Sequence, residues 1–202
     1  MKDKYAVYDY CETLIDSQTA NEFAFQYAVK RLDFVKKIQA ILFLKLRIFK
    51  RNRKWLLLGL LKGQAKEDIE SFSKYFAEGW LVDHHNKKLI DDLNEKKDKG
   101  YKIIIISAGF GSYIEAHNRF LGADKIIANE FSYVDGLFSG LICGDDCHGA
   151  EKVRRLDSSV GLGMIDLKNS YFYSDCLSDR PLFDIFGKSF LVVKSEIIAY
   201  RP

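Results

Sequence analysis

This 202-residue sequence has only two prolines and four cysteines. Four cysteines, without a start of the signal-peptide type, do not predict a secreted disulfide framework, so we expect a cytoplasmic protein. Apolar runs are short: residues 55–61 and 103–106 fall far below the ~20 residues of a membrane-spanning helix, so we predict no transmembrane segment. With 48% hydrophobic and 29% charged residues, the composition is that of a folded domain.

The net charge of +3 is unevenly distributed. Residues 17–85 hold 13 Lys/Arg and 7 Asp/Glu, whereas the remainder holds 18 and 21. Six cations fall within ten residues: Lys45, Arg47, Lys50, Arg51, Arg53 and Lys54. Such a stretch is typical of a solvated face, which is the interpretation we favour. It is also typical of a surface that binds anionic lipid or nucleic acid, or of a region that attracts an anionic substrate. We predict no nucleic-acid partner.

Four short apolar or aromatic runs predict strands buried on both faces, as in a parallel sheet: residues 5–8, 103–106, 171–173 and 190–193. Residues 107–112 carry two glycines and precede an amphipathic stretch to Leu121, which indicates a turn that opens a helix. Around Asp135-Gly136, residues 126–142 predict a two-stranded flap. The fold class is therefore α/β, with a doubly wound, Rossmann-like parallel-sheet core.

A helical block separates the first two predicted strands. Residues 19–80 show helical spacing nearly throughout, which is too long for one crossover helix and indicates an inserted helical cap. We predict an α/β core from residues 1–16 and 84–202 and a cap from residues 17–83. The oligomeric state is not predicted.

Polar residues follow three of the predicted strands directly. Asp9, Ser107 and Asp175 would meet at the carboxyl edge of a parallel sheet, where ligands bind. Two carboxylates at one edge repel each other unless a cation lies between them, and oxygen ligands suit Mg²⁺. Ser107, with Ala108 and Gly109 at the mouth of a helix, is placed to hold a phosphate, and Lys152 is the best candidate for the balancing ammonium.

These residues resemble the four motifs of the haloacid dehalogenase superfamily, in the correct order and over nearly the whole chain. Residues 7–14 resemble the first motif, Ser107 the second, Lys152 the third and residues 174–179 the fourth. The position of the insertion and residues 147–152 are similar to the phosphoserine-phosphatase-like branch, subfamily IB.

The resemblance implies a Mg²⁺-dependent phosphatase that acts on a small phosphate monoester. Asp9 would be the nucleophile that forms an aspartyl phosphate, and Thr13 would orient it. Ser107 and Lys152 would neutralise phosphate oxygens. Mg²⁺ would be held by the carboxylates of Asp9 and Asp175, the backbone carbonyl of Cys11 and, directly or through water, Asp179.

Cys11 departs from the family pattern, which has an aspartate there as general acid and base. Loss of general acid–base catalysis costs roughly 10²–10⁴-fold in rate but removes neither nucleophile nor phosphate site. Two alternatives stay open: a phosphotransferase, and a phosphate-binding relative with impaired catalysis. The sequence Asp-Tyr-Cys-Glu-Thr at residues 9–13 is similar to a variant among phosphatase-like proteins of bacterial surface-polysaccharide gene clusters.

Cys143, Cys147 and His148 also raise the question of zinc. A four-ligand site needs a second Cys or His pair, and none lies at a fitting spacing. We therefore predict that the two cysteines are small buried side chains.

Overall fold

A computed structural model describes residues 2–46 and 52–201. Arg47, Lys50 and Arg51 of the basic stretch lie outside the described residues. The strands are β1 (Tyr5–Tyr8), β2 (Lys102–Phe110), β3 (Lys125–Asn129), β4 (Phe131–Val134), β5 (Leu137–Ile142), β6 (Tyr171–Ser174), β7 (Lys188–Val193) and β8 (Glu196–Ala199). The helices are α1 (Thr19–Arg31), α2 (Phe34–Lys45), α3 (Arg53–Leu60), α4 (Lys66–Glu78), α5 (Trp80–Asp83), α6 (Lys87–Asp98), α7 (Gly111–Leu121), α8 (Ala150–Val160) and α9 (Arg180–Phe183).

The main sheet has the strand order β3-β2-β1-β6-β7-β8. Its first five strands are parallel, and β8 pairs antiparallel with β7 at one edge. The chain moves outward from β1 in one direction through β2 and β3, and in the other through β6 and β7. The order therefore reverses at β1, which is where open α/β sheets place their ligands.

Both faces of the sheet are covered, which explains the unbroken apolar runs of its strands. Ala6 and Tyr8 point into a core shared with α6, α7 and the helical segment that follows β1. Tyr5 and Val7 point into a second core that includes residues of α8 and α9. This arrangement confirms the predicted doubly wound α/β fold with a helical region inserted after β1.

Helices α1 to α5 lie between β1 and the return of the chain at α6. The segments entering and leaving them run side by side: the Asp16 amide donates to the His84 carbonyl at 3.0 Å, and the Asn86 amide to the Leu14 carbonyl at 2.9 Å. In the described ranges, no helix combines the length and apolar content needed to cross a membrane.

The predicted flap over residues 126–142 is only partly right. A hairpin of β4 and β5 turns at Asp135 and Gly136, both with positive φ, but β3 joins the main sheet instead. The short apolar run at residues 126–128 does not indicate which of the two sheets the strand joins. Backbone hydrogen bonds tie the hairpin to the α3–α4 connection, from Gly63 N to the Phe138 carbonyl and from Lys66 N to the Gly136 carbonyl. Strand β8 was not predicted.

Candidate active site

Asp9 and Asp175 follow neighbouring strands directly. Strands β1 and β6 pair in parallel with Tyr8 opposite Tyr173, and the Asp9 amide extends the pairing by donating to the Tyr173 carbonyl at 2.8 Å. The two carboxylates consequently adjoin each other closely enough for the charge of Asp9 to raise the pKa of Asp175. The sheet brings them together at the strand whose connections diverge.

Lys152 lies between Asp9 and Asp179. Its Nζ is 3.0 Å from Asp9 Oδ1 and 2.6 Å from Asp179 Oδ2, and all three side chains are almost fully buried. The lysine reaches them because α8 begins at Ala150 and presents residue 152 in its first turn. Burial lowers the pKa of Lys152, but the two carboxylates outweigh that effect and raise it above its usual value. Lys152 is therefore an ammonium in a carboxylate-lined pocket.

Asp9 is held in place by two donors to one oxygen. The Tyr10 amide donates to Oδ1 at 2.8 Å, beside the contact with Lys152. Burial raises the pKa of Asp9, and Lys152 opposes this rise. A further positive charge at this edge would favour the ionised, nucleophilic form.

Thr13 contacts Asp175. Its hydroxyl accepts a hydrogen bond from the Asp175 amide at 3.0 Å and lies 3.3 Å from Asp175 Oδ1. Thr13 therefore contacts the carboxylate next to Asp9, and its role in orienting the nucleophile stays a prediction. Burial, followed by the charges of Asp9 and Glu12, raises the pKa of Asp175 to about 7.

The carboxylates satisfy the chemical requirements of a magnesium site. Asp179 Oδ1 is buried and has no hydrogen-bond partner among the described residues, and the charge of Asp9 raises the pKa of Asp175, an effect that a bound cation would offset. No three His, Cys, Asp or Glu side chains in the described ranges converge enough to hold a metal alone. Mg²⁺ does not need such a cage, because it keeps several waters and uses one or two carboxylates plus substrate phosphate.

The segment after the Ile-rich run is extended. The prediction that Ser107 lies at the mouth of the next helix is wrong, because β2 continues to Phe110 and α7 begins at Gly111. A shifted pairing with β3 keeps residues 107–110 in the sheet. The Ser107 hydroxyl accepts a hydrogen bond from the Gly109 amide at 2.9 Å. Ser107 still lies at the site, 3.9 Å from Cys11 Sγ.

The Ala108 carbonyl is fixed by two side chains that sequence reasoning did not assign to the site. Asn129 Nδ2 donates to it at 2.9 Å and Lys54 Nζ at 2.8 Å. Both side chains also contact Asp146 Oδ1. Lys54 belongs to the predicted basic stretch, but nothing in that stretch distinguishes it from the other cations.

Cys11 points into a small cluster of hydroxyl groups. Its Sγ lies 2.8 Å from the Thr19 hydroxyl, which in turn lies 2.8 Å from the Tyr113 hydroxyl. Burial raises the pKa of the Cys11 thiol, and Asp9 raises it further. The thiol is therefore protonated at neutral pH.

These groups surround a cavity of about 190 Å³. Its lining includes Asp9, Cys11, Glu12, Lys54, Ala108, His148, Lys152, Asp175 and Asp179. A larger cavity, of about 440 Å³, is lined by residues of α4, α7 and β4 and holds none of the predicted site residues. The converging charges, and not the volume, identify the smaller cavity as the candidate site.

The two cysteines considered for zinc differ in environment. Cys147 is buried, as predicted, whereas Cys143 is exposed, so that part of the prediction is wrong. Cys143 follows β5 at the end of a hairpin with one face open to solvent.

Comparison with known proteins gives a consistent result. Residues 6–184 match the haloacid dehalogenase-like hydrolase family. The phosphoserine phosphatase of Methanocaldococcus jannaschii is 25% identical over 187 residues, which cover 92% of this chain and 83% of that protein. Protein CicA of Caulobacter vibrioides is 28% identical over 143 residues, covering 68% and 63% of the two chains.

Solved structures agree in fold. A protein of unknown function from Bordetella pertussis Tohama I aligns with a TM-score of 0.78 at 19% identity, covering 95% of this chain and 91% of that one. A phospho-aspartyl intermediate analogue of phosphoserine phosphatase aligns with a TM-score of 0.61 at 23% identity, covering 94% and 86%. The predicted family and the predicted enzyme class, a hydrolase of the phosphatase type, are confirmed. The chain therefore belongs to the haloacid dehalogenase-like hydrolase family, in its phosphoserine-phosphatase-like branch.

Proposed function

We propose that this protein hydrolyses a small phosphate monoester through an aspartyl phosphate formed on Asp9. The observation that carries the proposal is the position of Lys152, which contacts Asp9 and Asp179 while Asp175 adjoins Asp9 from the next strand. A nucleophilic carboxylate beside a fixed ammonium is the arrangement that phosphoryl transfer needs, because the reaction depends on positioning and charge stabilisation.

In the first step, the Asp9 carboxylate attacks phosphorus in line, the ester P–O bond breaks, and the alcohol leaves with a proton. In the second, water attacks the aspartyl phosphate and releases phosphate and the free carboxylate. Lys152, the Ser107 hydroxyl and the backbone at Ala108 and Gly109 would neutralise or bind the phosphate oxygens throughout.

We propose Mg²⁺ as the cofactor, held by Asp9, Asp175, the Cys11 backbone carbonyl and, directly or through water, Asp179. Asp179 would act through Oδ1, because Lys152 and Ser174 already occupy its Oδ2. When bound, the ion would supply positive charge to the phosphate and to both ionised carboxylates.

Protonation of the leaving group requires a substitute for the aspartate that the family has at position 11. Glu12 is the available carboxylate: it lines the cavity, has a positive φ of 54° and receives a hydrogen bond from the Gln18 amide group. Glu12 would serve less well than an aspartate at position 11, since it is exposed to solvent.

A cap formed by residues 17–83 would restrict the site to small phosphorylated metabolites. Lys54 supports this role, because it lines the cavity and connects α3 to the Ala108 carbonyl and to Asp146. The paired segments at residues 14–16 and 84–86 would be the hinges of the cap and the boundaries of the core.

The test is a phosphate-release screen across phosphorylated amino acids, amino alcohols and sugars with Mg²⁺. Wild type is compared with Asp9→Asn, which keeps the shape of the side chain, and with Asp135→Asn as a matched exchange on the hairpin. We expect turnover of at least one ester by wild type and Asp135→Asn and none by Asp9→Asn. Full turnover by Asp9→Asn would refute the mechanism.

The environment of Cys11 favours a second function for the same site. Because the thiol is protonated, the phosphoenzyme would persist and transfer its phosphoryl group to an acceptor other than water. Added alcohols would then increase product formation in proportion to their concentration. A relative that binds phosphate without turnover would show neither hydrolysis nor transfer at any Mg²⁺ concentration.

A further inference from the structure

Helix α2 exposes apolar side chains along one face. We define the exposed apolar face by Phe34, Val35, Ile38, Ile41, Leu42 and Leu46, the last being the residue that follows the helix. Phe34 is 75% exposed and Val35 is 64% exposed. At 3.6 residues per turn these six positions fall within an arc of about 140°, so they form one continuous strip.

The opposite side of α2 already provides its packing. Ala40 is fully buried and Phe43 and Leu44 are half-buried, and α2 packs on α1 and α3. The exposed apolar face is therefore not needed to attach the helix to the protein. Contiguous apolar surface of this kind marks a site of interaction, because isolated exposed side chains do not form strips.

Charge indicates what covers this face. Residues 34–66 contain ten Lys/Arg and no Asp/Glu, whereas the rest of the chain contains 21 Lys/Arg and 28 Asp/Glu. By the same helical spacing, Lys37 lies at one border of the strip and Lys45 lies within its arc at the C-terminal end, whereas Lys36 lies on the packed side. An apolar strip with a cation at one border and another at its end matches a surface that is apolar inside and negative outside, as an anionic bilayer is.

The start of α3 extends the same surface. Arg53 Nε donates to the Phe43 carbonyl at 3.0 Å, which joins α3 to the end of α2. Trp55 is 40% exposed, and Lys54 Nζ lies 4.4 Å from the centre of its ring. An indole beside cations suits the interfacial layer of a bilayer, where amphipathic rings are enriched.

Length decides how such a helix would meet a bilayer. The 12 residues of α2 span about 18 Å at ~1.5 Å per residue, well short of the ~30 Å hydrocarbon core. The helix would lie in the interface with its apolar strip inserted. A second copy of the chain is a poorer occupant, because a symmetric pairing would oppose the same cations.

We propose that the exposed apolar face of α2, with its flanking cations, docks the protein on an anionic membrane surface. The proposal is independent of the chemistry at Asp9, and the two can fail separately. Docking needs both parts: the cations attract the protein to the surface, and the apolar side chains insert.

The experiment is flotation of the full-length protein with phosphatidylcholine vesicles that contain none or 30% phosphatidylglycerol. We expect about tenfold or stronger binding to the anionic vesicles, weakened by 0.5 M salt. A blue shift of tryptophan emission should accompany binding and should be lost in Trp55→Phe. The emission of the second tryptophan, Trp80, should not change on docking, because Trp80 lies outside α2 and α3.

Two pairs of variants separate docking from loss of folding. Phe34→Ser with Val35→Ser is compared with Val134→Ser with Leu141→Ser, which are equally exposed apolar residues on the β4–β5 hairpin. Lys37→Gln with Lys45→Gln is compared with Lys87→Gln with Lys88→Gln on α6. Only the α2 pairs should lose binding, by about tenfold or more, at unchanged circular dichroism.

Each contrary result overturns the proposal. These results are equal binding to both vesicle types, no vesicle binding, or equal losses in the α2 and control pairs. A dimer in light scattering that Phe34→Ser with Val35→Ser dissociates would assign the face to a second copy instead.

Discussion

Lys152 Nζ lies 3.0 Å from Asp9 Oδ1, with only 3% and 8% of the two side chains exposed. The ammonium is fixed from the other side by Asp179, so it cannot turn away from the nucleophile. A phosphate on Asp9 would therefore meet a positive charge that is already in place, without the cost of reorganising the site during the reaction.

Removal of the lysine should affect both turnover and folding. Lys152→Met leaves the Asp9 and Asp179 carboxylates buried without their counter-charge, and the loss of one partner of a buried pair costs about 3–5 kcal/mol. We expect no phosphate release and a lower free energy of unfolding by urea titration. Adding Asp179→Asn should recover part of the stability but no turnover, whereas Lys99→Met, an exposed exchange, should change neither. Normal stability of Lys152→Met would show that the pair is not formed.

Restoring an aspartate at position 11 should not slow the enzyme. Cys11→Asp introduces a carboxyl group that can donate a proton to the leaving group, so we expect turnover at least equal to wild type and up to ~10²–10⁴-fold faster on some ester. Cys11→Ser is the control, because it keeps a hydroxyl partner for Thr19 and adds no acid. Steady-state phosphate release measures both variants. A loss of activity in Cys11→Asp would indicate that the thiol has a positive function.

Asp175 should make the metal-free protein less stable as the pH rises. Its pKa in the folded protein is raised from 3.8 to about 7, so between these values the folded state holds a proton that the unfolded state has released. Stability should therefore fall from about pH 4 to about pH 7 in chelator. Thermal unfolding of Asp175→Asn should show a flatter profile. Mg²⁺ should stabilise wild type at pH 8 far more than this variant, and an equal effect on both would contradict the proposed ligand.

His117 should make the protein less stable as the pH falls, which is opposite to the effect of Asp175. The Tyr10 hydroxyl lies 2.7 Å from Nδ1, and His85 Nε2 lies 2.8 Å from Nε2. Burial, then His85 and Arg119, lowers the pKa of His117 from 6.5 to about 3. The unfolded state binds the extra proton in that interval, so stability is lost as the pH falls from 6.5 towards 3, by up to ~1.4 kcal/mol per pH unit.

His117→Gln keeps an acceptor for Tyr10 and removes the titrating ring. We expect a shallower slope of unfolding free energy between pH 4 and 6.5, measured by urea titration at each pH. His148→Gln, at an exposed position, should keep the wild-type slope. If the two variants gave the same slope, His117 would not be the group responsible.

Much of the fold could be read from local pattern. Runs such as 103–106 have no polar alternation because both faces of the sheet are covered, and that pattern predicts a parallel strand from its own residues. The order of strand ends and polar residues likewise predicts that Asp9, Ser107 and Asp175 lie at one edge of the sheet. Strand β3 and the start of α7 could not be placed, because a three-residue apolar run and a glycine-bearing segment are compatible with more than one partner.

The details of the site depend on contacts between residues distant in the chain. Thr13 contacts Asp175, Lys54 reaches Ala108, and His117 pairs with His85, and none of these pairs leaves a local periodic signal. The exposed apolar face of α2 also leaves no local signal in the sequence. An apolar helix is expected to be buried, and only the position of the neighbouring helices shows which of its sides is exposed. Backbone propensity and burial pattern depend on a few neighbouring residues, so they can be predicted from the sequence. Distances between side chains arise only when the whole chain has packed.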